Sequence, residues 1–308
     1  MEVKMDIKRA ELKNRAKDIL AVKYWPLFIM ALVPCIGSFA AVLFGIGIFF
    51  EILFVAPFKA AYTKILIDNS EKEELTTYRE LLTFFRENYS DLLKNTFMRD
   101  IFLLLWKMPM IFGITSAIIS AYSILGMEII RGGGILLEKL ADIDFSSFTE
   151  ALTELGYNIE SLQTSLANNI IYSQLLTIFT CFIIIGIIAM LIGTIIYCYK
   201  IYSYYLTNYI IAEDVKLSWR EVIEKSKESM SGYKFFSLKL DLSFIGWYLI
   251  AFFASTLLSI VAGPFSVILM MIGTTIVSVY HDTSITQLYL HIRGSEKETY
   301  NIIDSEEI

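Results

Sequence analysis

Apolar residues in this chain gather into four runs too long for ordinary soluble elements: 24–67, 101–130, 170–196 and 241–292. Charged residues collect between the runs. A helix needs about 20 apolar residues to cross roughly 30 Å of hydrocarbon, so 101–130 and 170–196 each predict one span. The second of these extends through a tyrosine-rich stretch toward Ala212. The first run is twice that length, and Gly45 and Gly47 near its middle predict a tight hairpin of about Tyr24–Leu43 and Ile46–Ile67. The last is broken at Gly263-Pro264, where proline removes a backbone donor, so it predicts a second hairpin. The expected fold is an all-α integral membrane bundle of about six transmembrane helices.

The polar intervals carry their own pattern. Thr77-Tyr78-Arg79-Glu80-Leu81-Leu82 matches Ser218-Trp219-Arg220-Glu221-Val222-Ile223 at an offset of 141 residues. The same offset relates Lys59 to Lys200, Asp100 to Asp241 and Trp106 to Trp247. Both copies run out-to-in, helix, in-to-out, which predicts a parallel internal repeat about an axis along the membrane normal. Each begins with Ser or Thr followed three residues later by Glu, the pattern of a capping box at a helix start. Tyr78, Leu81, Leu82, Phe85, Tyr89, Leu92 and Leu93 form one helical stripe, and Trp219, Val222, Ile223, Ser226, Met230 and Tyr233 another. Amphipathic helices along the cytoplasmic membrane surface are expected there, with docking of a partner as the alternative. A third such segment covers Ile7–Leu20.

The segments are therefore an N-terminal amphipathic helix (1–23), a transmembrane hairpin (24–67), a cytoplasmic amphipathic helix (68–100) and a third span (101–130). An external helical insertion (131–169), a fourth span (170–212), a second cytoplasmic amphipathic helix (213–240), a hairpin (241–292) and an acidic cytoplasmic tail (293–308) follow. The insertion repeats the capping pattern at Ser147 and Glu150.

Composition sharpens the reading. Hydrophobic residues make up 56% of 308 and mean hydropathy is +0.57, more apolar surface than one soluble core buries. Lysine and arginine set the orientation: 23 of the 26 fall in intervals on one side, and only Arg131 and Lys139 on the other, with Lys107 inside a span. By the positive-inside rule the basic side, with both termini, is cytoplasmic.

Chemistry is sparse. Cys35, Cys181 and Cys198 lie in apolar runs without zinc or redox spacing, so no disulfide is expected. No phosphate-binding loop, metal spacing or nucleophile elbow occurs, which predicts a non-enzymatic protein without cofactor, metal or catalytic residues. Membrane lipids are the expected partners, a membrane or peptide partner stays open, and nucleic acid is not expected. The candidate polar residues in apolar runs are Glu51, Lys107, His281 and Asp282, with Glu128 near an outer end. Structural or interfacial roles are favoured for His281 and Asp282, because adjacent helix positions do not face each other. Asp100 and Asp241 read most simply as helix starts.

Asp241-Leu242-Ser243-Phe244-Ile245-Gly246-Trp247, with Ile223-Glu224-Lys225-Ser226-Lys227 before it, resembles a bacterial membrane-protein family catalogued as domain of unknown function 975. The opening 8–13 and the segment from Arg99 to Trp106 are similar as well. The resemblance implies a bacterial plasma-membrane protein and supplies no activity. The chain departs from the family in the long stretch from Lys107 to Tyr199, where members usually have a short apolar run broken at Pro-Gly. The function expected is an accessory role in membrane physiology, such as envelope stress response or protection against membrane-active peptides. The alternative is a secondary transporter of a small solute or lipid.

Overall fold

The computed structural model describes residues 7–72, 76–139, 169–263 and 266–306, and among these every regular element is helical. In chain order they are α1 (Arg9–Leu43), α2 (Gly47–Phe50), a π-helical turn (Glu51–Val55), α3 (Ala56–Glu71) and α4 (Tyr78–Lys139). Then come α5 (Asn169–Ser203), α6 (Thr207–Glu213), α7 (Trp219–Ser229), α8 (Lys234–Ala262) and α9 (Ser266–Glu306). Five stretches are long and apolar enough to cross a membrane: Arg9–Val42, Tyr78–Glu128, Tyr172–Glu213, Lys234–Leu258 and Ser266–Ser295. Their surfaces leave large apolar side chains such as Phe112, Ile188, Ile195, Ile250 and Phe253 exposed, as lipid contact requires. The return arm of the first hairpin is not among the five. It carries Glu51, Lys59, Lys64 and Asp68 within 25 residues, and these ions lower its hydropathy.

The bends fall where glycine frees the backbone. Gly45 takes φ +73° between α1 and α2, and Gly263 takes φ +54° after α8. Pro264 lies outside the described residues, as do the Ser147–Glu150 pattern and the rest of 140–168. Several boundaries differ from those the pattern suggests. The N-terminal amphipathic stretch and the first span are one helix, α1, through Pro26 and Pro34. The segments expected as the first cytoplasmic helix and the third span are likewise one 62-residue helix, α4, running past Gly132–Gly134 to Lys139. No side chain at Tyr24 or Ile101 breaks the backbone hydrogen bonding, so a change of solvent there need not end a helix. In the second of the two segments matched at the 141-residue offset, Gly232 at φ +84° separates α7 from α8. The first segment has Asp91 at the matching position, and its helix continues.

The chain divides into two compact units, one of residues 1–103 and 199–308, the other of 104–198. In the first, α9 is central and packs against α1, α3 and α8. Its Thr275, Thr283, Ser284 and Thr286 are buried, and each hydroxyl donates to the carbonyl four residues back, so these small polar residues leave no unmet donor against neighbouring helices. The stripe of α7 and of the turn after it also packs inward: Val222, Ile223 and Ser226 on the helix and Met230 and Tyr233 on the turn are buried, and Ser226 Oγ donates to the Ser203 carbonyl at 3.2 Å, where α5 ends. Lys23 is buried and caps α3, donating to the carbonyls of Asn69 (2.9 Å) and Lys72 (2.7 Å) at its C-terminal end.

In the second unit, α4 and α5 meet through glycine. A Cβ on Gly113 would lie 2.4 Å from the Met190 nitrogen, and one on Gly193 would lie 2.5 Å from the Met110 nitrogen. Such backbone-to-backbone approach suits helices that associate without a hydrophobic driving force.

Candidate functional site

The first unit holds an open-sided cavity of about 680 Å³, within the range of about 300–1,000 Å³ typical of ligand sites. Its walls come from α1, the π-helical turn, α3, α6, α8 and α9. Val42 and Val267, beside the two hairpin bends, line one end. Leu66, Tyr209, Asp282 and Ile285 line the other. The span from Val267 to Ile285 along α9 is about 27 Å at 1.5 Å per residue.

Local chemistry explains the irregular wall. Pro57 has no N–H for the carbonyl of Leu53, and the Tyr89 hydroxyl donates to that oxygen at 2.8 Å. The backbone here widens into the π-helical turn Glu51–Val55, whose first and last residues both line the cavity. Glu51 lies 3.9 Å from Lys59, and Ser38 Oγ donates to the same carboxylate at 3.4 Å. Both members of that ion pair are more than half exposed, so the pair marks the accessible part of the wall.

Asp282 lines the far end, and among the described residues its carboxylate accepts no hydrogen bond. Only its backbone carbonyl is engaged, by the Tyr209 hydroxyl at 3.3 Å and by Thr286. Behind this end sits a polar cluster. His281 Nε2 lies 2.8 Å from Asp241 Oδ1; Tyr205 and Tyr202 donate to the two oxygens of Asp241 at 2.5 and 2.9 Å. Tyr248 OH is 3.5 Å from His281 Nδ1, and the Phe244 ring lies against the imidazole at 4.8 Å between centroids. Lys13 Nζ lies over the Phe244 ring at 4.0 Å from its centre. Either protonation state of His281 finds partners: the neutral ring donates to Asp241 and accepts from Tyr248, while the imidazolium donates to both oxygens. Tyr205 and Tyr248 belong to the cavity wall and to the cluster, so they join the two.

The sequence candidates thus separate. His281 and Asp282 do not meet each other, yet they serve one region: His281 binds Asp241 and Asp282 faces the cavity. Asp241 is a correction, since it lies inside α8, seven residues past its start at Lys234, and acts as an acceptor instead of a helix cap. Asp100 is likewise interior to α4 and pairs with Arg99 at 2.7 Å, while Arg99 also binds Asn208, a cavity residue. Glu51 meets Lys59. Lys107 lies in the second unit, 5.8 Å from the centre of the Tyr197 ring, and Glu128 there accepts from the Tyr172 hydroxyl.

The repeat-signature residues at the helix starts do local work. Ser218 and Glu221 complete a capping box, and hydrogen bonds from the Ser218 backbone and hydroxyl hold the Glu221 carboxyl below its usual range. Thr77 bonds Glu80 at 3.3 Å. The Arg220 guanidinium lies over Trp219 at 5.0 Å, Arg79 is exposed, Trp247 is exposed, and Trp106 is partly buried.

Tyr202, Tyr205 and Tyr209 belong to the aromatic cluster 197–209, which the sequence offers either as an interfacial belt or as the lining of a polar cavity mouth. Sequence reasoning missed Tyr62 and Tyr248 as site residues, because periodicity does not tell which ring faces protein.

The family described as Protein of unknown function (DUF975) matches residues 1–296. The chain belongs to this family. The cavity and cluster residues all lie within these bounds. No curated protein matches the chain. No solved structure matches it either.

Proposed function

We propose that this protein is a six-span plasma-membrane protein of bacteria, with both termini cytoplasmic, that binds and moves a small solute or lipid through the cavity of its first unit. The return arm Gly47–Glu71 is the sixth span, with its ions turned to the cavity and to protein instead of lipid. Orientation rests on lysine and arginine, which places Gly45, Gly263 and the cavity's Val42 end outside and the His281–Asp241 cluster toward the cytoplasm. The parallel repeat supplies the two long helix–span units, and the helices at its cytoplasmic side serve as interfacial supports.

One observation carries the transport reading: the cavity shares two of its tyrosines, Tyr205 and Tyr248, with a hydrogen-bonded histidine–aspartate pair, His281 and Asp241. The amino-acid pattern alone favours a non-enzymatic accessory role in membrane physiology, and a cavity this size adds what such a role does not require. The test is uptake by proteoliposomes of a panel of labelled small solutes and fluorescent lipids, with and without an imposed pH gradient. Gradient-driven movement that His281→Gln abolishes supports the proposal. Absence of movement in every arm, with folded protein in the vesicles, rejects it.

A further inference from the structure

The chemistry of the cavity wall narrows its occupant. Tyr62 donates its hydroxyl to the Leu27 carbonyl, Tyr205 to Asp241 and Tyr209 to the Asp282 carbonyl, while Tyr248 turns its own to His281. The hydroxyls of these four lining residues are therefore engaged by protein, and ring surface is what they offer the cavity. Alongside them Pro34, Val55 and Met271 give the wall aliphatic surface, Ser38, Thr63, Asn208 and Thr274 bring hydroxyl and amide groups, and most of its exposed area is apolar. The formal charges lining it are Glu51, Lys59 and Asp282. Glu51 and Lys59 offset each other, which leaves one net negative charge at Asp282, the carboxylate without a hydrogen bond among the described residues.

A carboxylate against a largely apolar wall is costly unless a cation or proton meets it. Rings presenting their faces nearby add attraction for positive charge. An inorganic ion would leave the apolar wall unused, and among the described residues no group of His, Cys, Asp or Glu is arranged to hold a metal. The geometry points to a lipophilic organic monocation as the occupant, its charge against Asp282 and its apolar body along Phe39, Val55 and Met271. This rests on the proposal that the cavity takes a solute, and it names the class. The charged and titratable groups around Asp282 are His281 and Asp241 in the cluster, Lys59 across the cavity, and the rings of Tyr62, Tyr209 and Tyr248.

The probe pair is tetraphenylphosphonium and tetraphenylborate, close in size and apolar surface and opposite in charge, measured by equilibrium dialysis against the full-length protein in detergent. The cation is expected to bind at least tenfold tighter than the anion. Asp282→Asn should weaken the cation by about tenfold or more, the loss expected when a desolvated charge partner is removed. Lys59→Met should move affinity the other way, because it removes the positive charge that lines the cavity among the described residues; a variant that merely damaged the fold would weaken binding. Thermal unfolding checks that each variant is folded, and Lys59→Met decides the matter if Asp282→Asn is not. Equal binding of the two probes, or tightening absent in Lys59→Met, overturns the cation assignment and leaves a solute cavity standing. Binding of neither probe overturns both.

Discussion

Replacing Gly113 by alanine should separate α4 from α5 in the second unit. The new Cβ would stand 2.4 Å from the Met190 nitrogen and 2.5 Å from the Gly186 carbonyl oxygen. Comfortable contact begins at about 3.5 Å, so the helices must move apart by roughly 1 Å. Both opposing atoms are backbone, and no rotamer change relieves them. Overpacking of this kind costs about 1–3 kcal/mol. For a chain of this size that corresponds to a fall of roughly 2–10 °C in apparent Tm. The assay is thermal unfolding of purified protein in one detergent, beside Gly126→Ala as control. Gly126 lies on the same helix, and a Cβ there meets nothing within 4 Å. Equal Tm for the two variants would refute the close helix contact.

Tyr89→Phe removes the donor to the Leu53 carbonyl beside Pro57 and should cost about 0.5–1.5 kcal/mol, read as a lower apparent Tm. Ser218→Ala should destabilise the start of α7 by about 1 kcal/mol, seen as faster amide exchange over 219–222. Because hydrogen bonds hold the Glu221 carboxyl low, its part of this cap is fully present above the unfolded value of about 4.3 and is lost as pH falls through the lower folded value. Exchange that is independent of pH between 5 and 2, after correction for intrinsic rates, would contradict that assignment. For topology, a Cys placed at Ser146 in a protein whose native cysteines are serine should react with impermeant maleimide on intact cells, and one at Glu73 only after lysis. The reverse pattern would invert the protein.

How much of this was legible in the residues depends on the range of the interaction. Glycine at 45 and 263 and the capping box at Ser218 act within a few residues, and the bends and helix start fall where they indicate. Helix ends at Tyr24 and Ile101 were misread because a change from polar to apolar composition marks a change of solvent, while the hydrogen-bond ladder continues. Asp241 looked like a cap for the same reason, standing before an apolar run. Its true partners, Tyr202, Tyr205 and His281, lie 36 to 40 residues away, and no short-range spacing announces them. Lys23 is a similar case: near the polar end of a span it reads as an orientation signal, yet it caps carbonyls 46 and 49 residues away. The π-helical turn left one trace, Pro57, whose missing N–H frees Leu53.

The central claim, that water and a small cation reach the cavity of the first unit from outside, has a native reporter. Cys35 lines that cavity, whereas Cys181 and Cys198 lie exposed on α5. With both of those replaced by serine, a membrane-impermeant trimethylammonium methanethiosulfonate added to intact, right-side-out vesicles should label Cys35. Tetraphenylphosphonium should slow the labelling, as should Asp282→Asn. Cys35 that reacts only after denaturation, at a rate indifferent to both the cation and Asp282, would contradict the account.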